Sequence, residues 1–123
     1  MREIPEQQLE SYQLRFGIRA RKLLETAIAE GDFAKVADVS RRYFFTDAGY
    51  LATSMLGSHH LDNGEVVAAA NAFQRIYGYP PARRKNDPEL SVMLATARAI
   101  AGEQSAANTV LLDLGKKLSL IHI

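Results

Sequence analysis

The feature that most constrains this 123-residue sequence is a turn pattern that recurs along it. A polar or small residue, a glycine and an acid follow one another at three places, Glu30-Gly31-Asp32, Asn63-Gly64-Glu65 and Ala101-Gly102-Glu103. Glycine readily adopts the left-handed conformation that ends helices, and an acid just beyond it caps or charge-stabilises the next helix. Each step therefore predicts two antiparallel helices joined by a short loop.

Apolar residues at helical spacing lie on both sides of each turn. The first pair of helices is marked by Ile18, Leu23, Leu24, Ala27 and Ile28, and then by Phe33, Val36, Val39, Tyr43 and Phe44. The same spacing recurs over 46–77 and 88–118, whereas no clear period-two run exceeds a few residues. We therefore predict an all-α fold.

Cap and proline signals place the remaining helix boundaries. Thr46-Asp47 and Asp87-Pro88 each offer a side chain that caps a new helix. Pro80 and Pro81 remove backbone donors, so we expect 78–87 to be a loop that interrupts the helices.

The chain length suits one domain, which we expect to span 1–123. Within it we predict three antiparallel helix-turn-helix pairs, at about 17–45, 46–81 and 87–118, and a short additional helix over 6–14. One helix pair cannot bury its apolar face alone, so consecutive pairs are expected to stack on one another.

The turn spacing and the middle unit resemble tetratricopeptide repeats. Gly64 follows Gly31 by 33 residues and Gly102 follows Gly64 by 38, whereas the period of that family is 34. The family signature is best matched by Leu56-Gly57-x-x-His60, Gly64, Ala69-x-x-x-Phe73 and Pro81. The flanking units depart from it. The resemblance implies a right-handed α-solenoid in which Gly57 and Ala69 let helices approach closely and Phe73 fills the space between pairs.

A narrower likeness concerns other segments of the chain. Three segments carry it: Tyr12-x-Leu14-Arg15-Phe16-Gly17, Arg41-Arg42-Tyr43-Phe44-x-Thr46-x-Ala48-Gly49-Tyr50 and Leu56-Gly57. They resemble the helical segment that precedes quinone-type β-propeller repeats in some large exported bacterial proteins. This likeness implies an excised domain beside a propeller, in a periplasmic or extracellular setting. Without it the expected compartment is the cytoplasm, so localisation stays open.

The first resemblance also implies a binding surface. In tetratricopeptide repeats the first helix of every pair lines a concave groove that binds a peptide. Alignment on the turn glycines carries nine positions over to that groove: Arg21, Glu25, Ile28, Ser54, Ser58, Leu61, Val92, Thr96 and Ile100. This mixed wall lacks the Lys and Asn sets that bind a peptide C-terminus. The resemblance therefore implies a non-catalytic protein-protein interaction scaffold that binds a partner segment.

Composition and motifs argue against other functions. Fifteen basic and 14 acidic residues leave a net charge of +1, which gives no field to attract nucleic acid or anionic lipid. The chain has no cysteine, and no nucleophile elbow, zinc-binding helix motif or phosphate loop occurs in it. No apolar run approaches the 18 residues of a membrane span. We expect no enzyme activity, cofactor, metal, nucleic acid or membrane partner.

Two polar clusters offer alternatives. His59-His60 with Asp62 carries metal-ligand chemistry, but adjacent helical residues point about 100° apart, so we expect His60 to pack in the repeat and His59 to be solvated. Arg83-Arg84-Lys85, with Tyr77 and Tyr79 nearby, offers phosphate and base contacts. We expect this basic run to be a solvated loop.

The alternative function is a structural spacer or homodimerisation domain excised from a larger protein. The chain ends in aliphatic residues from Leu118 to Ile123, which motivate a homodimer through this C-terminal tail. Under the scaffold hypothesis the partner is a protein, a peptide or a neighbouring domain of the same polypeptide.

Overall fold

The computed structural model describes residues 5–121, except for the side chains of Glu6, 84–86 and 117–121. The described part of the chain is all-α, as predicted, and contains no strand. Its seven helices are α1 (Glu6–Glu30), α2 (Phe33–Arg42), α3 (Asp47–Asp62), α4 (Val66–Tyr77), α5 (Pro80–Asn86), α6 (Glu89–Ile100) and α7 (Gln104–Ile121). The chain divides into two compact units, Met1–Leu56 and Gly57–Ile123, and the division falls inside α3.

The three glycine turns share one geometry, as the sequence pattern indicates. Gly31, Gly64 and Gly102 have φ values of 64°, 77° and 86°, in the left-handed region that glycine adopts without strain. The amide of the following acid donates to the carbonyl five residues earlier in each turn, at 2.9 Å for Asp32 and 2.8 Å for Glu65 and Glu103. This bond is the signature of the Schellman motif, so the repeat is present in the backbone as well as in the sequence.

The acids themselves act differently from turn to turn. The Asp32 carboxylate caps α2, because its Oδ1 accepts from the amides of Ala34 and Lys35 at 3.1 and 3.2 Å. Glu65 and Glu103 instead reach back to His60 Nδ1 at 3.2 Å and to the Arg98 guanidinium at 2.7 Å. Capping by the turn acid is therefore confirmed at Asp32 alone among the three.

The prediction of a separate N-terminal helix over 6–14 is wrong, because α1 runs unbroken from Glu6 to Glu30. No proline interrupts residues 6–30. Between the expected helix over 6–14 and the first helix pair, Gly17 is the single residue with low helix propensity. Gly17 is buried, and a Cβ there would lie 2.5 Å from the side-chain nitrogen Nε2 of Gln13. The glycine therefore leaves room for the Gln13 side chain, whose Oε1 accepts a hydrogen bond from the Asp47 amide at the start of α3.

The prediction of a loop over 78–87 is also wrong in part. The helix before it does end at Tyr77, but Pro80 and Pro81 then open the short helix α5. Proline fits a first helical turn because the amides of that turn have no intrahelical acceptor. The next helix begins one residue later than expected, because its N-cap is Pro88, but Asp87 Oδ1 still accepts from the Ser91 amide at 3.1 Å and from its hydroxyl at 2.6 Å.

The core of the first unit is built from small and aromatic residues. Its buried members include Ala20, Leu24, Ala27, Val36, Val39, Tyr43, Ala48 and Ala52. A buried polar pair crosses it: Ser40 Oγ and Thr53 Oγ1 lie 2.5 Å apart, and Thr53 donates to the Gly49 carbonyl at 2.8 Å. This pair joins α2 to α3 inside the core of the first unit.

The core of the second unit is centred on Phe73, Ile76 and Leu94, each at most 1% exposed. The Phe73 ring packs directly against Gly57, where a side chain would not fit: a Cβ on Gly57 would lie 2.6 Å from Cε1 of that ring. The close approach expected at Gly57 is therefore present.

Candidate interaction surface on α1

One face of α1 carries large apolar side chains that the described part of the chain leaves uncovered. Its members are Leu14, Ile18, Arg21, Glu25 and Ile28, which we call the α1 stripe. Leu14 is 83% exposed, Ile18 65% and Ile28 48%. Their spacing alternates between four and three residues, the pattern of a helix seam that packs on another helix. Three of the five, Arg21, Glu25 and Ile28, belong to the groove predicted from the sequence.

The stripe is exposed because α1 has one buried face and that face lies elsewhere. Ala20 and Ala27 are fully buried in the core of the first unit, and Leu24 is 2% exposed. At 3.6 residues per turn, the two alanines lie opposite a seam through Ile18, Arg21 and Glu25. The helix therefore packs on its own unit with Ala20, Leu24 and Ala27 and presents the aliphatic residues of the stripe to solvent.

Arg21 and Glu25 form a loose ion pair in the middle of the stripe. Arg21 Nε and Glu25 Oε1 are 3.9 Å apart, with the two side chains 74% and 69% exposed. Pairs of this kind contribute little in water, and the order with the cation first along the helix is the weaker one. Both charges are therefore available to groups on a partner.

A cleft of about 250 Å³ adjoins the N-terminal half of the stripe. Its lining includes Leu14, Ile18 and Arg21 on α1, and Asp47 and Ala48 at the start of α3. The two helices are tied here, because the Asp47 amide donates to Gln13 Oε1 at 3.0 Å. The result is an apolar depression with a cation and a carboxylate on its rim.

Sequence reasoning missed part of this surface. Leu14 and Ile18 were not among the groove positions, and neither were Gln13 and Asp47. The four-three spacing that starts at Leu14 was a usable signal, but it crosses the expected junction between an N-terminal helix and the first pair. A helix broken near Gly17 would have split the stripe.

The other predicted groove residues lie in several places. Ser54, Ser58 and Leu61 are half-buried on α3. Val92, Thr96 and Ile100 share an exposed face of α6, where Val92 is 48% and Ile100 59% exposed, and the Thr96 hydroxyl donates to the Val92 carbonyl. The structure thus groups Arg21, Glu25 and Ile28 on one helix face of the first unit and the α6 residues on one face of the second.

The histidines at the end of α3 bond to different neighbours. His59 Nε2 lies 3.2 Å from the side-chain nitrogen of Asn63, the pairing expected from helical spacing, and His60 Nδ1 lies 3.2 Å from Glu65 Oε1. Within the described residues, no group of three or more histidines and carboxylates is arranged to hold a metal ion. Within the same residues, no helix is both long and apolar enough to cross a membrane.

The expectation of a solvated basic loop is wrong for Arg83. Its guanidinium pairs with Asp87 at 3.3 Å and with Asp113, and it lies 3.9 Å from the centre of the Tyr77 ring. Tyr77 in turn donates to Asp113 at 3.0 Å. Tyr79 is 4% exposed, and the guanidinium of Arg83 covers one face of the Tyr77 ring. The side chains of 84 and 85 lie outside the described part.

This cluster shifts the titration of its members. Burial, followed by the hydrogen bond to Asp113, raises the pKa of Tyr77. Burial alone would lower the pKa of Arg83, but its bond to Asp113, the neighbouring Tyr77 and Asp87 raise it instead. The cluster joins α5 to α7 and is a structural element of the second unit.

A second cleft of about 210 Å³ lies between α1 and α2. Leu23, Val39 and Tyr43 form its apolar part, and Lys35 and Asp38 stand on its rim. Its three charged lining residues have contacts of their own: Lys35 pairs with Glu30 at 2.6 Å, Asp38 pairs with Arg41, and the Arg42 guanidinium lies 5.5 Å from the centre of the Tyr43 ring. The Lys35–Glu30 pair is closer than the 3.9 Å pair of Arg21 and Glu25 on the α1 stripe.

The C-terminal tail proposed for homodimerisation begins in α7, which ends at Ile121. The side chains of 117–121 and the whole of 122–123 lie outside the described residues. Dimerisation through the tail stays a prediction. No protein-family model, curated protein or solved structure matches this chain.

Proposed function

We propose that this protein is a non-catalytic protein-protein interaction module that binds a partner helix along the α1 stripe. The observation that carries the proposal is the exposure of Leu14, Ile18 and Ile28 on one helix face, at 83%, 65% and 48%. Soluble domains rarely leave contiguous apolar patches uncovered unless the patch is a binding surface. The stripe also includes Arg21, Glu25 and Ile28 from the groove implied by the tetratricopeptide resemblance.

We further propose that the helix pairs form a right-handed stack of the tetratricopeptide type. Two observations support this. The three glycine turns have one backbone geometry, with the same amide-to-carbonyl bond across each. The close contact between Gly57 and Phe73 also gives the middle unit the small-residue and aromatic packing that the family signature implies.

The stripe sets the chemistry of the partner. Its four-three spacing suits the apolar face of an amphipathic helix, in which anchors recur at three and four residues. The exposed Arg21 and Glu25 require one carboxylate and one cation on that helix, placed between its apolar anchors. Ile18 and Leu14 beside the cleft provide a depression for one branched aliphatic side chain.

A displayed library of amphipathic helical peptides, selected on the intact chain, tests the proposal. We expect enriched peptides to carry apolar anchors flanking one acidic and one basic residue. Their binding should fall at least tenfold in Ile18→Asp and stay unchanged in Val67→Asp, a matched control at a position that is 61% exposed on α4. Selected peptides that bind Ile18→Asp as tightly as the parent would rule out the α1 stripe.

A further inference from the structure

We infer that the partner helix is α1 of a second copy of this chain, and that the two α1 stripes pack antiparallel. The two-fold axis that relates them crosses the stripe at the height of residue 23, midway between Arg21 and Glu25. This inference rests on the proposed function, because it names the occupant of the same surface. It assigns no role to the C-terminal tail.

The part of the stripe from Ile18 to Ile28 is complementary to itself in one register. Ile18 and Ile28 lie five residues on either side of position 23, and Arg21 and Glu25 lie two residues on either side of it. A two-fold axis at position 23 therefore places Ile18 opposite Ile28 of the other copy and Arg21 opposite its Glu25. Isologous contacts of this kind repeat on both sides of the axis, which gives two apolar pairs and two opposite-charge pairs.

Other arrangements of the two stripes lose this match. A parallel pair would place Arg21 on Arg21 and Glu25 on Glu25, and like charges on facing positions disfavour pairing. An antiparallel pair centred on Arg21 would bring two guanidinium groups together, and one centred on Glu25 would bring two carboxylates together. The charges therefore select both the direction and the register.

The cleft beside Ile18 has room for the side chain of Ile28 from the other copy. Its apolar lining includes Leu14, Ile18 and Ala48 and surrounds about 250 Å³. In the inferred register, Ile28 of the other copy meets Ile18 at this cleft, and the reverse contact is formed across the axis. Each cleft is thus filled by one aliphatic side chain that is 48% exposed in the single chain.

The shared segment is short, and this sets the expected strength. Helix α1 ends at Glu30, so the two helices overlap from residue 16 to residue 30. An interface of one four-turn helix on each side falls at the low end of specific interfaces. We expect a reversible dimer whose population rises with concentration, from the 13.6 kDa monomer toward twice that mass.

A charge-exchange experiment by sedimentation equilibrium tests the pairing. Arg21→Glu alone leaves two carboxylates facing each other at both charge contacts, and Glu25→Arg alone leaves two guanidinium groups facing each other there. Each variant should therefore be monomeric where the wild type associates. An equimolar mixture of the two variants restores opposite charges at both contacts and should recover association.

The charge exchange carries its own controls. Each variant has like charges four residues apart within its own helix, so recovery on mixing cannot come from repair within one chain. Arg19→Glu, which lies off the stripe, should associate like the wild type. Loss of association in Arg19→Glu equal to that in Arg21→Glu would show that net charge, and not the pairing, controls assembly.

Cysteine pairing tests the register, since the chain has no cysteine of its own. Under mild oxidation, a mixture of Ile18→Cys and Ile28→Cys chains should give the mixed disulfide in large excess over either self-linked product. A preference for the 18–18 and 28–28 products would indicate a parallel pair and overturn the inference.

Failure of the inference differs from failure of the proposed function. A wild-type chain that stays monomeric at millimolar concentration while helical peptides still bind the α1 stripe overturns self-association and retains an interaction surface. Mixed charge variants that stay monomeric where the wild type associates also overturn the inferred register. Helicity by circular dichroism, matched among all variants, confirms that each chain under comparison is folded.

Discussion

Gly57 faces the ring of Phe73 with no space between them for a methyl group: an added Cβ would lie 2.6 Å from Cε1 and 2.7 Å from Cζ. The ring has little freedom to withdraw, because Phe73 is 1% exposed in the core of the second unit. The glycine at this position is therefore required by packing, and the contact links the third turn of α3 to the middle of α4.

Gly57→Ala should destabilise the protein by about 1–3 kcal/mol, because the forced displacement of a buried ring outweighs the better helix propensity of alanine. Gly115→Ala is the matched control, since Gly115 is also inside a helix and a Cβ there meets nothing within 4 Å. That change should stabilise by about 0.5–1 kcal/mol. Urea unfolding followed by circular dichroism measures both. A stabilised Gly57→Ala would contradict the packing described for Phe73.

The buried hydroxyl pair gives a second prediction. Ser40→Ala removes the hydroxyl that contacts Thr53 and should cost about 1 kcal/mol of unfolding free energy, and Thr53→Val should cost about 1–3 kcal/mol because it also removes the hydroxyl donor to the Gly49 carbonyl. The double variant should cost less than the two single changes together, since each removes part of the same network. Equilibrium unfolding of the four proteins gives the coupling, and strict additivity would show that the hydroxyls do not interact.

The turn acids should differ in their contributions. Asp32→Ala should destabilise the first unit by about 1 kcal/mol, because two amides at the start of α2 lose their acceptor. Glu103→Ala removes an exposed bond to Arg98 and should change stability by less than about 0.5 kcal/mol. Thermal unfolding of both variants compares them directly. Equal losses would mean that Asp32 does not act as a cap.

Alkaline pH should weaken the cluster around Tyr77. The pKa of Tyr77 in the folded protein is raised from 10.0, chiefly by burial and then by the bond to Asp113. The folded state thus holds the phenol proton more tightly than the unfolded state, and this contribution is complete below about pH 10 and lost as pH rises through the folded pKa. Tyr77→Phe should therefore flatten the fall in urea midpoint that begins above about pH 10. An unchanged alkaline slope would contradict the shift.

Local signals in the sequence were sufficient for the all-α class and for the three glycine turns. Gly31, Gly64 and Gly102 end helices because a left-handed residue is needed there, and this requirement can be recognised without tertiary information. The carboxylate of Asp87 also bonds near the start of α6, as its position in the sequence indicates. The close packing at Gly57 was predicted from a family resemblance, and its physical cause is the contact with the Phe73 ring.

The missed features depend on relations that spacing does not reveal. Pro80 and Pro81 indicated a break but not the new helix that they open, because proline both ends and begins helices. Ile18 and Ile28 marked α1 as helical, yet the core of that helix is formed by Ala20, Leu24 and Ala27. Apolar periodicity identifies a helix, and which of two apolar faces is buried is decided by the neighbour against which it packs.

Methyl NMR of the isoleucine side chains tests the central claim most directly, because Ile18 and Ile28 lie on the α1 stripe and Ile76 is fully buried. On titration with a peptide selected on the chain, or with rising concentration of the chain itself, we expect the Ile18 and Ile28 δ1 methyl signals to shift together and saturably. The Ile76 signal should stay in place. Saturable binding that leaves the Ile18 and Ile28 signals unmoved would contradict a binding surface on α1.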